Sequence, residues 1–199
     1  DKVVKALPEA ESLQRDFLVE LAGDKRIYEA APFILKLAEN DVPVALEALA
    51  GVVAPADFPA LAKMRDKNPG AEIEKAMKAA LKTLPAAEKY NAVKAAADAA
   101  AKPELLYNVM ATAANPEAIA YLTEKYEAGS ETALKALSTI NDLAVAPVLL
   151  KAADADQNYL SRYVSIVNAN EKNVDKKFLY FNTCIILPRG SRLVFFPLS

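Results

Sequence analysis

Leucine-like anchors recur along this chain at close to 28 residues, and that recurrence constrains its fold more than any other feature. Leu21, Leu49, Leu81, Val109, Leu137 and Val164 follow one another at spacings of 28, 32, 28, 28 and 27 residues. A second series, Leu35, Leu61, Val93, Leu122 and Leu149, runs between them at 26, 32, 29 and 27. Self-similarity at such a period marks stacked supersecondary units, each too small to bury its own apolar stripe. The stretch from Ser130 to Ala153 displays one unit. Leu134, Leu137 and Ile140 recur at spacing three, and Val145, Val148 and Leu149 or Leu150 resume after Asn141-Asp142. The one long spacing falls where Lys67-Asn68-Pro69-Gly70 inserts a loop.

Composition agrees with helix packed on helix. More than half of the 199 residues are apolar, alanine is abundant, glycine numbers five and tryptophan is absent. Alanine is the best helix former and lets neighbouring helices approach closely. The spacing predicts hairpins pairing Glu9–Gly23 with Ile27–Glu39, Val42–Val52 with Asp57–Arg65, and Ala71–Thr83 with Ala86–Ala101. Glu104–Ala113 pairs with the helix opened by Asn115-Pro116-Glu117, where Asn caps, Pro loses no needed N–H, and Glu complements the helix dipole. Lys102-Pro103-Glu104 and Leu7-Pro8-Glu9 repeat that pattern. Gly129 is expected to be left-handed and Ser130 to cap the next helix. A sixth hairpin begins after Asp156, with Tyr159, Tyr163, Ile166 and Val167 on one face and a partner containing Phe178, Leu179 and Phe181. The expected fold is therefore all-α: a right-handed α-solenoid of about six short hairpins over residues 1–182.

Residues 183–199, TCIILPRGSRLVFFPLS, abandon the alanine-rich texture for an irregular or strand-like one. Three readings stay open: a cap on the last repeat, the start of a further domain, or foreign sequence resembling the remnant of an engineered protease site. The chain starts at Asp1 without Met and inside a helical pattern, as expected of a processed or truncated product.

The chemistry available is narrow. There is no histidine and one cysteine, Cys184, so neither an internal disulfide nor a zinc site is expected. Asp154, Asp156 and Asn158 are spaced like a calcium loop, but Tyr159 and Ser165 replace its glycine and glutamate, leaving Asp156 as a helix cap. The pairs Glu124 with Glu127 and Glu72 with Glu74 are expected as solvated surface charges, and Ser130 lacks any activating base. No catalytic, metal or cofactor residue is assigned. Net charge is −2 with acids and bases interleaved, as in Lys63, Arg65 and Asp66, so no basic stripe for nucleic acid is formed. No apolar run reaches 18 residues, so no membrane span is expected.

Tyrosines concentrate in the second half, at 90, 107, 121, 126, 159 and 163. Tyr121 adjoins the anchor Leu122 and should be partly exposed. Tyr90, Tyr121 and Lys125 are accordingly the candidate partner surface, since tyrosine joins a large contact area to a polar tip. The competing assignment is ordinary packing between repeats.

The period, the paired short helices and proline at the second helix resemble short HEAT-type repeats. Ala45-Leu46-Glu47-Ala48-Leu49 and Ala133-Leu134-Lys135-Ala136-Leu137 carry the likeness, over residues 9–181. More narrowly, Tyr159-Leu160-Ser161-Arg162-Tyr163 and Lys177-Phe178-Leu179-Tyr180-Phe181 resemble alanine-rich arrays upstream of 3-keto-disaccharide hydrolase-like domains in exported bacterial proteins. That resemblance implies a non-catalytic scaffold, protein-binding or spacer module. Its partner would be a protein or an attached sugar-processing domain, and its location periplasmic or extracytoplasmic. The alternatives are a HEAT-like enzyme, such as an alkylpurine DNA glycosylase, or a repeat protein holding a small ligand. The glycosylases use a basic, tryptophan-bearing groove, which this chain lacks.

Overall fold

The structure, a computed structural model, describes residues 2–170, and among these it is all-helical, with no strand. The tail at 183–199 and the expected partner helix with Phe178, Leu179 and Phe181 lie outside the described residues. Twelve α-helices follow one another: α1 Lys2–Ala6, α2 Ser12–Lys25, α3 Ala31–Ala38, α4 Pro43–Val52, α5 Phe58–Lys67 and α6 Ala71–Leu81. Then come α7 Ala86–Ala99, α8 Tyr107–Met110, α9 Pro116–Glu127, α10 Glu131–Thr139, α11 Ala146–Ala152 and α12 Asn158–Ala169. The chain divides into two compact units, Asp1–Ile140 and Asn141–Ser199.

Local chemistry sets most helix ends. Pro32, Pro43, Pro59, Pro116 and Pro147 lie in the first turns of their helices, where a missing N–H costs nothing. The Asn115 side chain accepts from the Ala118 N–H at 3.0 Å, and Ser130 Oγ from the Ala133 N–H at 3.3 Å. Gly129 adopts φ +98° between α9 and α10, as its position required. The expected helix over Glu104–Ala113 is instead broken up. It consists of the 3-10 turns Pro103–Leu106 and Ala111–Ala113 flanking the four residues of α8.

In the first unit α2 packs on α4, α4 on α6, and α8 on α10, while α3 packs on α4, α5 on α6 and α9 on α10. Leu49, Leu81, Val109, Leu122 and Leu137 are all buried, as the recurrence demanded of them. The outer anchors differ. Leu21 and Leu35 are only half-buried, and Val19, Ala22, Ile34 and Ala38 fill the core in their place. In the second unit, where α12 packs on α11, Val164 is 42% exposed and Tyr163, Ile166 and Val167 are buried. One residue along a helix turns the side chain by about 100°, so an anchor misplaced by one leaves the core.

Gly23 is not the helix break that Gly23-Asp24 suggests. It lies inside α2, which ends at Arg26 with φ 54°. Its role is close approach. A Cβ on Gly23 would lie 3.0 Å from the Ala48 Cβ, and one on Gly51 of α4 would strike the Gly23 carbonyl oxygen and lie 2.8 Å from its carbon. The helices therefore touch backbone to backbone at this crossing.

Arg65 also departs from expectation. It is 7% exposed rather than one of the alternating surface charges, and it fastens three segments. Its guanidinium donates to the Glu74 carboxylate of α6 at 2.7 Å, to the Gly70 carbonyl at 2.6 Å and to the Leu105 carbonyl at 3.4 Å. Glu74 is correspondingly half-buried and accepts a second ion pair from Lys78 at 2.7 Å. Beside it, the Asp66 carboxylate accepts from the Ala101 and Lys102 N–H groups at 2.9 and 3.1 Å. Asn68 donates to Asp41 at 2.6 Å and accepts from the Gly70 N–H at 2.9 Å.

These contacts fix three expected outcomes. Gly51→Ala should destabilise by about 1–3 kcal/mol through overpacking, although alanine would gain about 1 kcal/mol in an open helix. Leu137→Ala should cost about 2–5 kcal/mol. Arg65→Ala should cost about 3 kcal/mol, at the lower end for a broken buried pair because Glu74 keeps Lys78. Urea unfolding of each variant measures these changes. A stabilised Gly51→Ala would show that the two helices do not touch there.

Candidate partner surface

The residues of interest stand on three helices of the first unit. On α7, Tyr90, Lys94 and Asp98 follow at intervals of four and so share one face. On α9, Tyr121 and Lys125 stand in the same relation, with Glu124 beside Lys125. The short α8 contributes Tyr107.

Tyr121 is the centre of this cluster. The Lys125 Nζ lies 5.0 Å from its ring centroid and the Lys94 Nζ, from α7, 5.6 Å. Both are within reach of a cation–π attraction. The Tyr107 ring meets it edge-on, with centroids 6.2 Å apart and planes at 77°. That geometry suits two quadrupoles, with the positive edge of one ring turned to the negative face of the other. Each lysine also holds a carboxylate on its own helix: Lys94 bonds both Asp98 oxygens at 2.6 and 2.8 Å, and Lys125 bonds Glu124 at 3.0 Å.

The protonation states follow from these contacts. The hydrogen bond to Asp98 raises Lys94 above the usual ammonium range, and the bond to Glu124 does the same for Lys125. Burial is the main cause raising the phenols of Tyr107 and Tyr121, since it disfavours phenolate. For Tyr121 the nearby Lys125 pulls the other way and does not prevail. At neutral pH the cluster therefore presents two ammonium groups and two neutral hydroxyls.

Of the three residues singled out from sequence, Tyr121 and Lys125 are in direct contact, while Tyr90 stands one turn before Lys94 on α7. Tyr121 is half-buried, in keeping with its place beside Leu122. Lys94 was missed. It follows the buried anchor Val93 by one residue, whereas Tyr121 precedes the buried anchor Leu122 by one. Side chains so placed on successive second helices point toward each other, and this offset was the available signal. Tyr163 is core, and with Tyr159 it belongs to the second unit.

The acids of the turns before α11 and α12 have local duties. The Asp156 carboxylate accepts from the Asn158 N–H at 2.9 Å, and Asp142 from the Ala144 N–H at 2.8 Å. Among the described residues no three His, Cys, Asp or Glu side chains converge as metal ligands, and no helix is long and apolar enough to cross a membrane.

In comparisons with known proteins, no family model, no curated protein and no solved structure matches this chain.

The raised phenols predict a pH dependence. Their protons leave the native protein later than the unfolded chain, whose tyrosines ionise near pH 10. This contribution to stability is therefore complete below about pH 10 and is lost as pH rises beyond it. Tyr107→Phe should flatten that alkaline loss and remove one late-titrating group from the tyrosinate absorbance curve. Loss of a group titrating near pH 10, with the alkaline stability loss unchanged, would place Tyr107 in water.

Proposed function

We propose that this chain is a non-catalytic helical repeat scaffold, a right-handed α-solenoid of about six HEAT-like hairpins that binds a protein partner or spaces an attached domain. The succession of packed first helices, α2 to α4 to α6 and α8 to α10, supports the stacked arrangement. So does the burial of anchors at the 28-residue period, because a repeat unit must cover its neighbour's stripe. Placement beside a sugar-processing domain in an exported protein belongs to the same proposal and rests on the resemblance of the repeats.

The observation that carries the binding role is the position of Tyr121 between Lys94 of α7 and Lys125 of α9. Tyrosine with flanking cations offers contact area, directional hydrogen bonds and charge at small conformational cost, the mixture that dominates protein recognition. The partner surface is thus Tyr90, Tyr121 and Lys125, enlarged by Lys94 and Tyr107. Catalysis has no support in this cluster. Its groups are ammoniums and neutral phenols, each lysine held by a carboxylate, and no histidine exists to move protons at neutral pH.

The test compares wild-type protein with a Tyr121→Ala, Lys125→Glu variant of unchanged helical circular dichroism as baits in extracts of the source cell. A discrete partner retained by wild type and lost by the variant is expected. Equal capture by both would remove the assigned surface. Turnover of disaccharide or 3-keto-glycoside substrates by the chain alone would overturn the non-catalytic reading.

A further inference from the structure

We infer that the exposed face of α2 docks a cationic amphipathic helix of another protein, with apolar side chains on Leu13 and Phe17 and lysine or arginine on Glu20 and Asp24. The inference stands on residues outside the Tyr121 cluster and does not depend on that surface.

The first argument is a second seam on one helix. Val19 and Ala22 turn one side of α2 to the core. On the other side Leu13, Phe17, Glu20 and Asp24 follow at spacings of four, three and four, and all are exposed. That alternation keeps side chains in line along a helix and is the spacing by which one helix lies on another. Four large apolar side chains are exposed among the described residues, and the most exposed are Leu13 at 87% and Phe17 at 61%. The two stand one turn apart on this seam, so they form one patch, whereas single exposed leucines are ordinary.

The second argument is the charge that continues the stripe. Neither the Glu20 nor the Asp24 carboxylate makes an ion pair or a hydrogen bond among the described residues. The cations of α2 point elsewhere: Arg15 donates to Asp16 at 3.3 Å, and Lys25 lies about 100° round the helix from Asp24. Asp24 moreover stands in the last turn of α2, the end at which the helix dipole disfavours a carboxylate. An incoming ammonium or guanidinium relieves that repulsion.

The third argument selects the occupant. Nucleic acid and anionic lipid both present phosphates, which Glu20 and Asp24 repel. A second copy of α2 laid in register sets Leu13 against Asp24 and Phe17 against Glu20 when antiparallel, and carboxylate against carboxylate when parallel. A helix with one apolar half and one cationic half matches both halves of the seam, through contact area at one end and opposite charge at the other.

The experiment titrates the isotope-labelled chain with capped, alanine-based helical peptides, followed by amide chemical shifts. Each peptide carries a Leu pair and an Arg pair in line on one face, in either order along the chain, and Glu replaces Arg in the comparison peptide. Shifts confined to α2 and its flanking turns are expected with one order of the Arg peptide, and none with the Glu peptide. Phe17→Ala, at an exposed position that leaves the fold intact, should abolish them. Glu20→Gln with Asp24→Asn should weaken binding by about fivefold, as for two exposed ion pairs, and added salt should weaken the wild type likewise. No shifts at millimolar Arg peptide in either order, equal shifts with the Glu peptide, or binding indifferent to Phe17→Ala or to the loss of both carboxylates would each overturn the inference. Shifts of the α2 amides that grow with the concentration of the chain alone would assign the face to a second copy and overturn it as well.

Discussion

A helix of seven to fourteen residues does not hold itself together in water, and no described helix of this chain is longer. Everything else depends on that constraint. Each stripe must be covered by another helix, so the helices are stable only through the packing they share. Leu49, Leu81, Leu122 and Leu137 meet this need by burial. At the α2–α4 crossing the covering is closest, because Gly23 and Gly51 have no side chains and the backbones meet. Two glycines that would weaken isolated helices by about 1 kcal/mol each here remove the atoms that would hold the pair apart.

The inserted loop between α5 and α6 looks like an interruption of the period, but it is the most densely fastened polar region described. Arg65 spans the end of α5, the start of α6 and the entry to α8, and Asp66 ties down the segment before that entry. Asn68 reaches back to Asp41, which has φ 56° in the turn before α4. Backbone polar groups away from water must find partners. The charged side chains of Arg65 and Asp66 supply them across sequence separations of up to 40 residues.

The Tyr121 cluster uses opposite physics at the surface. Its ion pairs are exposed, and its rings lie deeper: Tyr107 buried, Tyr121 half-buried and set against it. The separate roles of Arg65 and Lys94 follow from the number of partners each meets. Arg65 reaches three acceptors fixed in the backbone or in α6, whereas Lys94 has one exposed carboxylate on its own helix.

What the sequence alone determined is whatever a few neighbouring residues decide. Helix identity followed from periodicity, and the starts at Asn115 and Ser130 and the left-handed Gly129 followed from side-chain and backbone chemistry within one turn. The pairing of Tyr121 with Lys125 was legible for the same reason, since both lie on one helix face. Only the tertiary structure decided the rest. Gly23 reads as a breaker until Ala48 and Gly51 are brought against it, Arg65 reads as surface until Glu74, Gly70 and Leu105 surround it, and Lys94 is one lysine among many until α7 stands near α9. Val164 and Tyr163 show the same limit on α12, where a step of one residue exchanges core for solvent. A residue's spacing fixes which face of its helix it occupies, but the energy of that face depends on the atoms opposite, which distant sequence supplies.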